Sequence, residues 1–407
     1  MRRYLRGPLV SIASQLTGLI QLAAILFLVG ADNSTDSYFY LFTLGLTPIL
    51  ILMVGLMYPL LLNEERITLG GLRRIRWAAP ASSGALVLGG SIWLSVTDSG
   101  GPWLGYLTLA VITNSVAQCA VWFRAVAAEA GGDPLWISGV ALPANILAVV
   151  SLIFPWPNSG AAMAAMTFAL ALGNLMLYVV MRRRQVGVVV LQESPATRVG
   201  SARGSYWFLG KASVGYAGQA TMQSIAVTLP ASSVTFLNLA NKIVGAASST
   251  FVNALMPLVI NQSTETTASG RKFLRLSLPI MALGGGALIV IAAVVNPELI
   301  LTSIIVTCWL LTSTAAAVAQ RMAFRFLDAN ASRISMAVIL VVTAAAAASA
   351  LSPSFSLNVL LGALAIMDGV TAALLLWALR DRTVSAIVSI LVACLVYIWI
   401  ATLWSSI

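Results

Sequence analysis

The sequence predicts an all-α, polytopic membrane protein, and three observations support this prediction. Apolar residues make up 59% of the 407 residues, charged residues only 9%, and the mean hydropathy is +0.94. A soluble globular protein carries about 25% charged residues, so this chain lacks the polar surface that water would require. Long apolar runs recur along the chain, each near the roughly 20 residues that a membrane-spanning helix uses. These properties exclude a soluble enzyme, a DNA-binding domain and a secreted disulfide scaffold.

About thirteen spans are expected, separated by short clusters of turn-forming residues. Gly, Pro, Asn, Asp and Ser dominate the breaks at 31–36, 98–102 and 131–134. Prolines inside the apolar runs, such as Pro48 and Pro143, are expected to bend the helices. The predicted spans cover residues 8–30, 38–62, 77–96, 102–127, 134–154, 159–181, 205–229, 233–261, 273–295, 298–326, 331–351, 356–380 and 383–404.

One long polar stretch, 182–204, divides these spans into two groups of six with one span left over. We therefore predict four segments. They are an N-terminal six-helix lobe over 1–181, a cytoplasmic linker over 182–204, a C-terminal six-helix lobe over 205–380 and an extra transmembrane helix over 381–407.

A weak internal repeat supports this organisation. A shift of 198 residues aligns Tyr58–Asn63 with Met256–Asn261, and Gln21 with Gln219. Six spans per lobe preserve the orientation of the chain, so such a repeat builds parallel lobes related by an axis along the membrane normal. The expected architecture is two parallel six-helix lobes around a central cavity, plus one extra C-terminal helix.

The net charge of +10 is explained by basic loops on one side of the membrane. Arginines precede the first span and follow the second, sixth and eighth, whereas the opposite loops carry Asp32, Asp36, Asp98 and Glu298. Cytoplasmic loops are enriched in Lys and Arg, so we expect a cytoplasmic N-terminus, and no nucleic-acid partner is needed. The chain has no histidine, and its three cysteines lie inside apolar runs without paired spacing. No cofactor, metal site or disulfide is therefore expected.

Polar residues recur at helical spacing in four predicted spans and are the candidates for substrate binding. Spacings of three or four residues place them on one face of each helix. Lipid does not tolerate such a face, so it borders a wet cavity or hydrogen-bonds to a packed helix. We favour the cavity for the long stripes of spans seven and eight, and packing for isolated amides. The candidates are Gln15 and Gln21 in span one, Asn114 and Gln118 in span four, Lys211, Gln219 and Gln223 in span seven, and Asn238, Lys242, Ser249 and Asn253 in span eight.

Two charged residues are expected near the middle of the membrane. Lys242 lies about 14 Å into span eight at 1.5 Å per residue, and Asp368 lies at comparable depth in span twelve. A charge at this depth costs at least a few kcal/mol and usually marks a transport path. Lys242 is predicted to contact a substrate or anion, and Asp368 to couple transport to Na⁺ or H⁺. The alternative is a static ion pair between the two.

Three basic residues are expected near the cytoplasmic ends of spans. Arg124, Lys211 and Arg321 are predicted to rim a vestibule that receives a phosphate group. The simpler interpretation, which we favour, is that they are snorkelling anchors at the membrane surface.

Span eight carries the most specific motif. Its segment Thr235–Gly245, TFLNLANKIVG, is followed by Leu255–Val259, LMPLV. Together they resemble the eighth helix of lipid II flippases and polysaccharide flippases, where a small-polar-basic triplet precedes a cavity-lining stretch ending in Leu-x-Pro. Tyr38–Phe42 resembles the start of the second helix in the same proteins. The chain is thus similar to the multidrug/oligosaccharidyl-lipid/polysaccharide (MOP) exporter superfamily, and Lys242 matches the basic residue of its cavity.

This resemblance implies a function and a location. The flippases of the superfamily move an undecaprenyl-pyrophosphate-linked glycan across the bacterial cytoplasmic (inner) membrane by ion-coupled alternating access. The expected partners are this lipid-linked glycan, membrane lipids and proteins of envelope-polymer biosynthesis. Lipid II flippases of the MurJ type carry arginines in the first two helices, whereas spans one and two contain none here. A polysaccharide-unit flippase of the Wzx type is therefore the closer match.

Other functions stay open. A multidrug or cation antiporter of the MATE type would share the fold but needs acidic and aromatic cavity walls, and Asp368 is the only acid expected at depth. A lipid II flippase and a facilitator-type symporter are further alternatives, although the loop over 68–76 lacks the acidic residue of the facilitator motif. A membrane glycosyltransferase or polymerase would place catalytic groups in an outer loop, and every predicted outer loop is short. We therefore expect a transporter and not an enzyme.

Overall fold

A computed structural model describes residues 2–62, 69–188, 203–248, 266–326 and 328–404, and the regular elements in these ranges are all helical. Two of the helices continue into π-helical turns, at Ile25–Val29 and Leu50–Met57, and a 3₁₀ turn, Pro297–Leu299, precedes a third. The α-helices are α1 Arg2–Ala24, α2 Asn33–Ile49, α3 Tyr58–Leu62, α4 Leu69–Val96, α5 Leu104–Ala130, α6 Leu135–Ser138, α7 Leu142–Leu152, α8 Ser159–Arg183, α9 Arg203–Ala226, α10 Ser233–Ser248, α11 Thr266–Val295, α12 Ile300–Phe326, α13 Asp328–Ser349, α14 Leu357–Ala378 and α15 Arg382–Trp404.

Eleven segments within the described ranges are long and apolar enough to cross a membrane. They coincide with predicted spans one to six and nine to thirteen, which confirms an all-α polytopic membrane protein. The other two predicted spans correspond to α9 and α10. Helix α9 carries polar residues along its length, and α10 is described only to Ser248 because residues 249–265 lie outside the described part. A membrane crossing by these two helices stays a prediction.

The fifth span differs from a continuous helix. It consists of the short helix α6, a turn over 139–141, and α7, which starts at Leu142 with Pro143 in its first turn. Proline lacks an amide donor and fits the first turn of a helix, where that donor has no intrahelical partner. Pro143 therefore restarts a helix after a break and does not bend a single long one.

The chain packs as two compact units, Met1–Phe236 and Leu237–Ile407. Helix α9, predicted to open the C-terminal lobe, packs in the first unit against α2 and its π-helical extension. Gly55 in that extension permits the close approach, since a Cβ there would overlap the methyl group of Ala212. The predicted linker lies largely outside the described residues, so the lobe boundaries drawn from sequence stay a prediction.

The second unit is built around α12 and α14, which pack against each other and against α11, α13 and α15. Small residues line these contacts. Gly369 faces Val392 and Thr312, and Ala319 and Ala372 are fully buried. Close packing of small side chains is how membrane helices associate, because lipid supplies no hydrophobic drive between them.

Candidate functional site

The start of α2 carries two acids, Asp32 and Asp36, and the second contacts the start of α10. Asp32 caps α2 by accepting hydrogen bonds from the backbone amides of Ser34 (2.9 Å) and Thr35 (3.0 Å). One turn later Asp36 is only 9% exposed. Its Oδ1 accepts hydrogen bonds from the amide of Thr235 (2.7 Å) and from the Thr235 hydroxyl (2.5 Å). Asp36 therefore caps the first turn of α10, the helix that carries Lys242.

A second bond fixes the same connection. The Ser232 hydroxyl donates to the carbonyl of Ala31 at 2.8 Å, just before α2 begins. A carboxylate at a helix N-terminus satisfies orphan amides and interacts favourably with the helix dipole. The start of α10 is thus tied to the start of α2 by two bonds to the Asp36 carboxylate and one neutral bond from Ser232, between residues about 200 positions apart in sequence.

Helix α9 carries its stripe next to α2. The Tyr40 hydroxyl and Ser224 Oγ are 3.0 Å apart, and Gln223 beside Ser224 is 1% exposed. Lys211 and Gln219 are half-buried. Their spacing in the sequence places these residues on one face of α9. At the end of this face, Gln223 is enclosed by protein.

Two glycines distinguish a packed face from an open one. Gly215 lies between Lys211 and Gln219 on α9, and Gly245 lies one turn after Lys242 on α10. A Cβ built on either glycine meets no heavy atom of the described chain within 4 Å. Within the described part of the chain no side chain fills these two positions, whereas Ala212 fills the position at Gly55.

Helix α10 places its two described candidates along one side. Asn238 and Lys242 are both half-buried, one turn apart. Lys242 lies about 14 Å from the helix start at Ser233, at 1.5 Å per residue. Ser249 and Asn253, the remaining candidates of this stripe, lie outside the described residues.

The amides of spans one and four mostly contact protein. Gln21 Nε2 donates weakly to the Tyr38 hydroxyl (3.5 Å) and to Met166 Sδ (3.7 Å). Asn174 Nδ2 donates to Asn114 Oδ1 at 3.0 Å, and both side chains are buried. Such bonds hold packed helices together. Of the other two candidates, Gln118 is half-buried and Gln15 is exposed. A role in substrate binding for these four stays a prediction.

Arg124 is held by the N-terminal unit itself. Its Nη1 donates to the carbonyl of Val186 at 3.0 Å, and its guanidinium carbon lies 5.6 Å from the centre of the Tyr178 ring. Gly187 follows with φ of +71°, and a Cβ there would lie 2.8 Å from the Arg124 carbonyl oxygen. These contacts anchor the turn after α8. Arg321 lies on α12, and its side chain is outside the described residues, so the vestibule stays a prediction.

Asp368 lies in the middle of α14, about 17 Å from the helix start at Leu357 at 1.5 Å per residue. Its Oδ2 accepts a hydrogen bond from the indole Nε1 of Trp309 at 2.9 Å, and the hydroxyl of Ser313 is a second partner. Both partners lie on α12. They give the carboxylate neutral donors in the interior of the second unit, and the ion pair with Lys242 stays a prediction.

Sequence reasoning missed the role of Asp36 and the partner of Asp368. Asp36 was placed among outer-loop acids, although Asp32 and Thr35 have the spacing of a capping box and therefore signal a helix that already includes residue 36. Thr235 likewise follows Ser233 at a helix start. No sequence signal pairs Trp309 with Asp368, because that contact depends on how α12 packs against α14.

Comparisons with known proteins identify the fold. No protein-family model matches the sequence, and no curated protein matches it either. Among solved structures, the chain is similar to the lipid II flippase MurJ in an inward closed conformation, with a TM-score of 0.65 and 11% identity over 98% of this chain and 99% of that one. It is also similar to a multidrug resistance MATE family transporter of the MOP superfamily in an outward-facing conformation. That match has a TM-score of 0.52 and 13% identity over 95% of this chain and 96% of the other.

Both matches extend over nearly the whole chain, so the similarity is not confined to one unit. They show the fold that the resemblance described from sequence implies. The chain has the fold shared by the lipid II flippase MurJ and by MATE family transporters of the MOP superfamily.

Proposed function

We propose that this chain is a flippase for a lipid-linked oligosaccharide, moving an undecaprenyl-pyrophosphate-linked glycan across a bacterial cytoplasmic membrane by alternating access. The observation that carries the proposal is Lys242, a half-buried lysine midway along α10, a helix expected to cross the membrane, and one turn before the exposed Gly245. A lysine at that depth is costly unless it meets an anion or water. A pyrophosphate linkage is such an anion.

The stripe of α9 supports the same substrate. Lys211 and Gln219 lie one turn on either side of Gly215, so a cation and an amide share one face of α9. Ammonium groups bind phosphate as point charges, and amides donate and accept hydrogen bonds as sugar hydroxyls do. A lipid-linked glycan needs both kinds of contact, a phosphate site and a sugar site.

Asp368 is proposed as the site of ion coupling. Its two neutral donors, Trp309 and Ser313, stabilise the carboxylate without neutralising its charge. A cation or a proton that binds Asp368 would neutralise that negative charge. Binding is favourable because a charge in the membrane interior is costly. Na⁺ and H⁺ are both candidates for the ion.

The proposed orientation follows the arginines. Arg73, Arg74 and Arg76 at the start of α4 and Arg182–Arg184 at the end of α8 lie at helix ends that alternation places on one side. The positive-inside rule assigns that side to the cytoplasm. The N-terminus is then cytoplasmic, and Asp36 lies toward the outer surface.

The test is the leaflet distribution of the glycan in the host. We would deplete the protein and treat intact spheroplasts with a membrane-impermeant sugar-modifying reagent. Loss of accessible undecaprenyl-linked glycan, with accumulation inside, is the expected result. Lys242→Arg should restore export at least partly and Lys242→Gln should not, whereas Arg73→Gln, an exposed arginine on α4, is the control that should restore it fully. Unchanged accessibility in a host without a second flippase would overturn the proposal.

A MATE-type cation antiporter is the second candidate, and one observation favours it. The carboxylate of Asp368 lies against the indole of Trp309, and an acid beside an aromatic ring is the combination that organic cations need. Efflux of a cationic dye from the same depleted and complemented cells distinguishes the two. Loss of dye efflux with normal glycan export would favour the antiporter.

A further inference from the structure

An apolar groove runs along the second unit between α11, α12 and α15. It has a volume of about 370 Å³ and is lined by aliphatic side chains, among them Leu278, Leu311 and Val388. Pro279 and Ile387 are exposed at its edge. In a chain that crosses a membrane, an open apolar groove of this kind is in contact with lipid tails.

One end of the groove is basic. Arg275 is part of its lining and is exposed, and Lys272 lies one turn earlier on α11. Helix α15 begins at Arg382, two residues before Val384, which also lines the groove. The opposite end, at Ala282 and Leu391, has no charged lining residue.

This arrangement matches the two parts of an anionic phospholipid. We propose that the groove binds one acyl chain of a phospholipid whose phosphate group contacts Arg275, in the leaflet that the basic loops face. Basic pockets between membrane helices bind anionic lipid headgroups, and each nearby Lys or Arg contributes about 1 kcal/mol to that attraction. The site lies within the second unit alone and does not depend on what the chain transports.

The groove is shorter than a complete lipid tail and holds only a segment of one. From Leu274 to Ala282 on α11 it extends about 12 Å at 1.5 Å per residue, less than half of a hydrocarbon core about 30 Å thick. One segment of an acyl chain fills that length, and the rest of the tail lies in the bilayer. The choice of an anionic phospholipid therefore rests on Arg275 and Lys272 at one end of the groove.

The test measures which lipids the purified full-length chain retains, by native mass spectrometry with added phosphatidylglycerol, phosphatidylcholine or undecaprenyl phosphate. Phosphatidylglycerol should bind more tightly, and Arg275→Gln should weaken it about fivefold, the loss expected for one arginine. Ala282→Trp should fill the groove and reduce binding of both phospholipids. Arg73→Gln, which removes an equally exposed arginine far from the groove in sequence, is the control and should bind as the wild type does.

Three results would overturn the proposal. The first is equal binding of the two phospholipids, and the second is unchanged phosphatidylglycerol binding in Arg275→Gln. The third is that the wild type retains undecaprenyl phosphate in place of phospholipid and that Ala282→Trp abolishes this retention. If Ala282→Trp fails to give a folded protein, Arg275→Gln alone decides, because its exposed side chain leaves the packing of α11 intact.

Discussion

Replacing Asp36 should release the first turn of α10, and the size of the effect can be worked out from its contacts. Asp36→Ala removes two hydrogen bonds from Thr235, at 2.7 Å and 2.5 Å, that are made to a buried carboxylate. A hydrogen bond to a charged group contributes about 1.5 kcal/mol at the lower end of its range. The two together give about 3 kcal/mol for local opening of this turn.

Hydrogen–deuterium exchange measures that opening directly. A loss of about 3 kcal/mol corresponds to exchange faster by about 100-fold, since roughly 1.4 kcal/mol is a factor of ten. Asp36→Asn keeps one acceptor oxygen and loses the charge, so the amides over 233–236 should exchange about fivefold faster. The matched control is Asp98→Asn, in an exposed turn of another loop, which should leave these amides unchanged.

The reasoning fails if the amides over 233–236 in Asp36→Ala exchange within threefold of the wild type. It also fails if every helix of the first unit exchanges faster to the same degree. In that case the carboxylate stabilises the unit as a whole and is not a cap on α10.

Three further predictions concern packing, open space and the ion site. Gly55→Leu should lower the melting temperature in detergent by several degrees, because the leucine side chain would overlap Ala212 and overpacking costs about 1–3 kcal/mol. An unchanged melting temperature would show that α9 can move away. Gly215→Cys should react with a membrane-impermeant thiol reagent and Gly55→Cys should not. Ala212 fills the position at Gly55, whereas no described residue lies within 4 Å of a Cβ at Gly215, and equal labelling would contradict the packing of α9. Trp309→Phe should shift the Na⁺ or H⁺ dependence of transport, since it removes a donor 2.9 Å from Asp368. An unaltered ion dependence would contradict a role of this hydrogen bond in ion coupling.

The membrane helices could be predicted from the sequence because the bilayer imposes a simple rule. A span needs about 20 apolar residues, and eleven of the predicted spans match apolar helices of the described chain. Turn chemistry also located the breaks, for example the Asp32 cap before α2. The break inside the fifth span was not predicted, since apolar residues continue across the turn before Pro143.

Contacts between distant segments could not be predicted in the same way. Helix α9 belongs to the first unit because it packs against α2 and the π-helical turns Leu50–Met57, and sequence periodicity gives a face without giving its neighbour. For the same reason Lys211 and Lys242 were found as polar positions, whereas the Asp36–Thr235 cap was not. Periodicity selects residues on one helix, and a hydrogen bond across 199 positions depends on tertiary packing.

The most direct test of the central claim is transport by the purified protein in liposomes that contain a fluorescent undecaprenyl-pyrophosphate-linked glycan in both leaflets. A membrane-impermeant quencher then measures the rate at which inner-leaflet lipid becomes accessible. The account predicts that the wild type speeds this exchange, that Lys242→Arg retains it and that Lys242→Gln loses it. Liposomes with the wild-type chain that exchange no faster than protein-free liposomes would contradict the account.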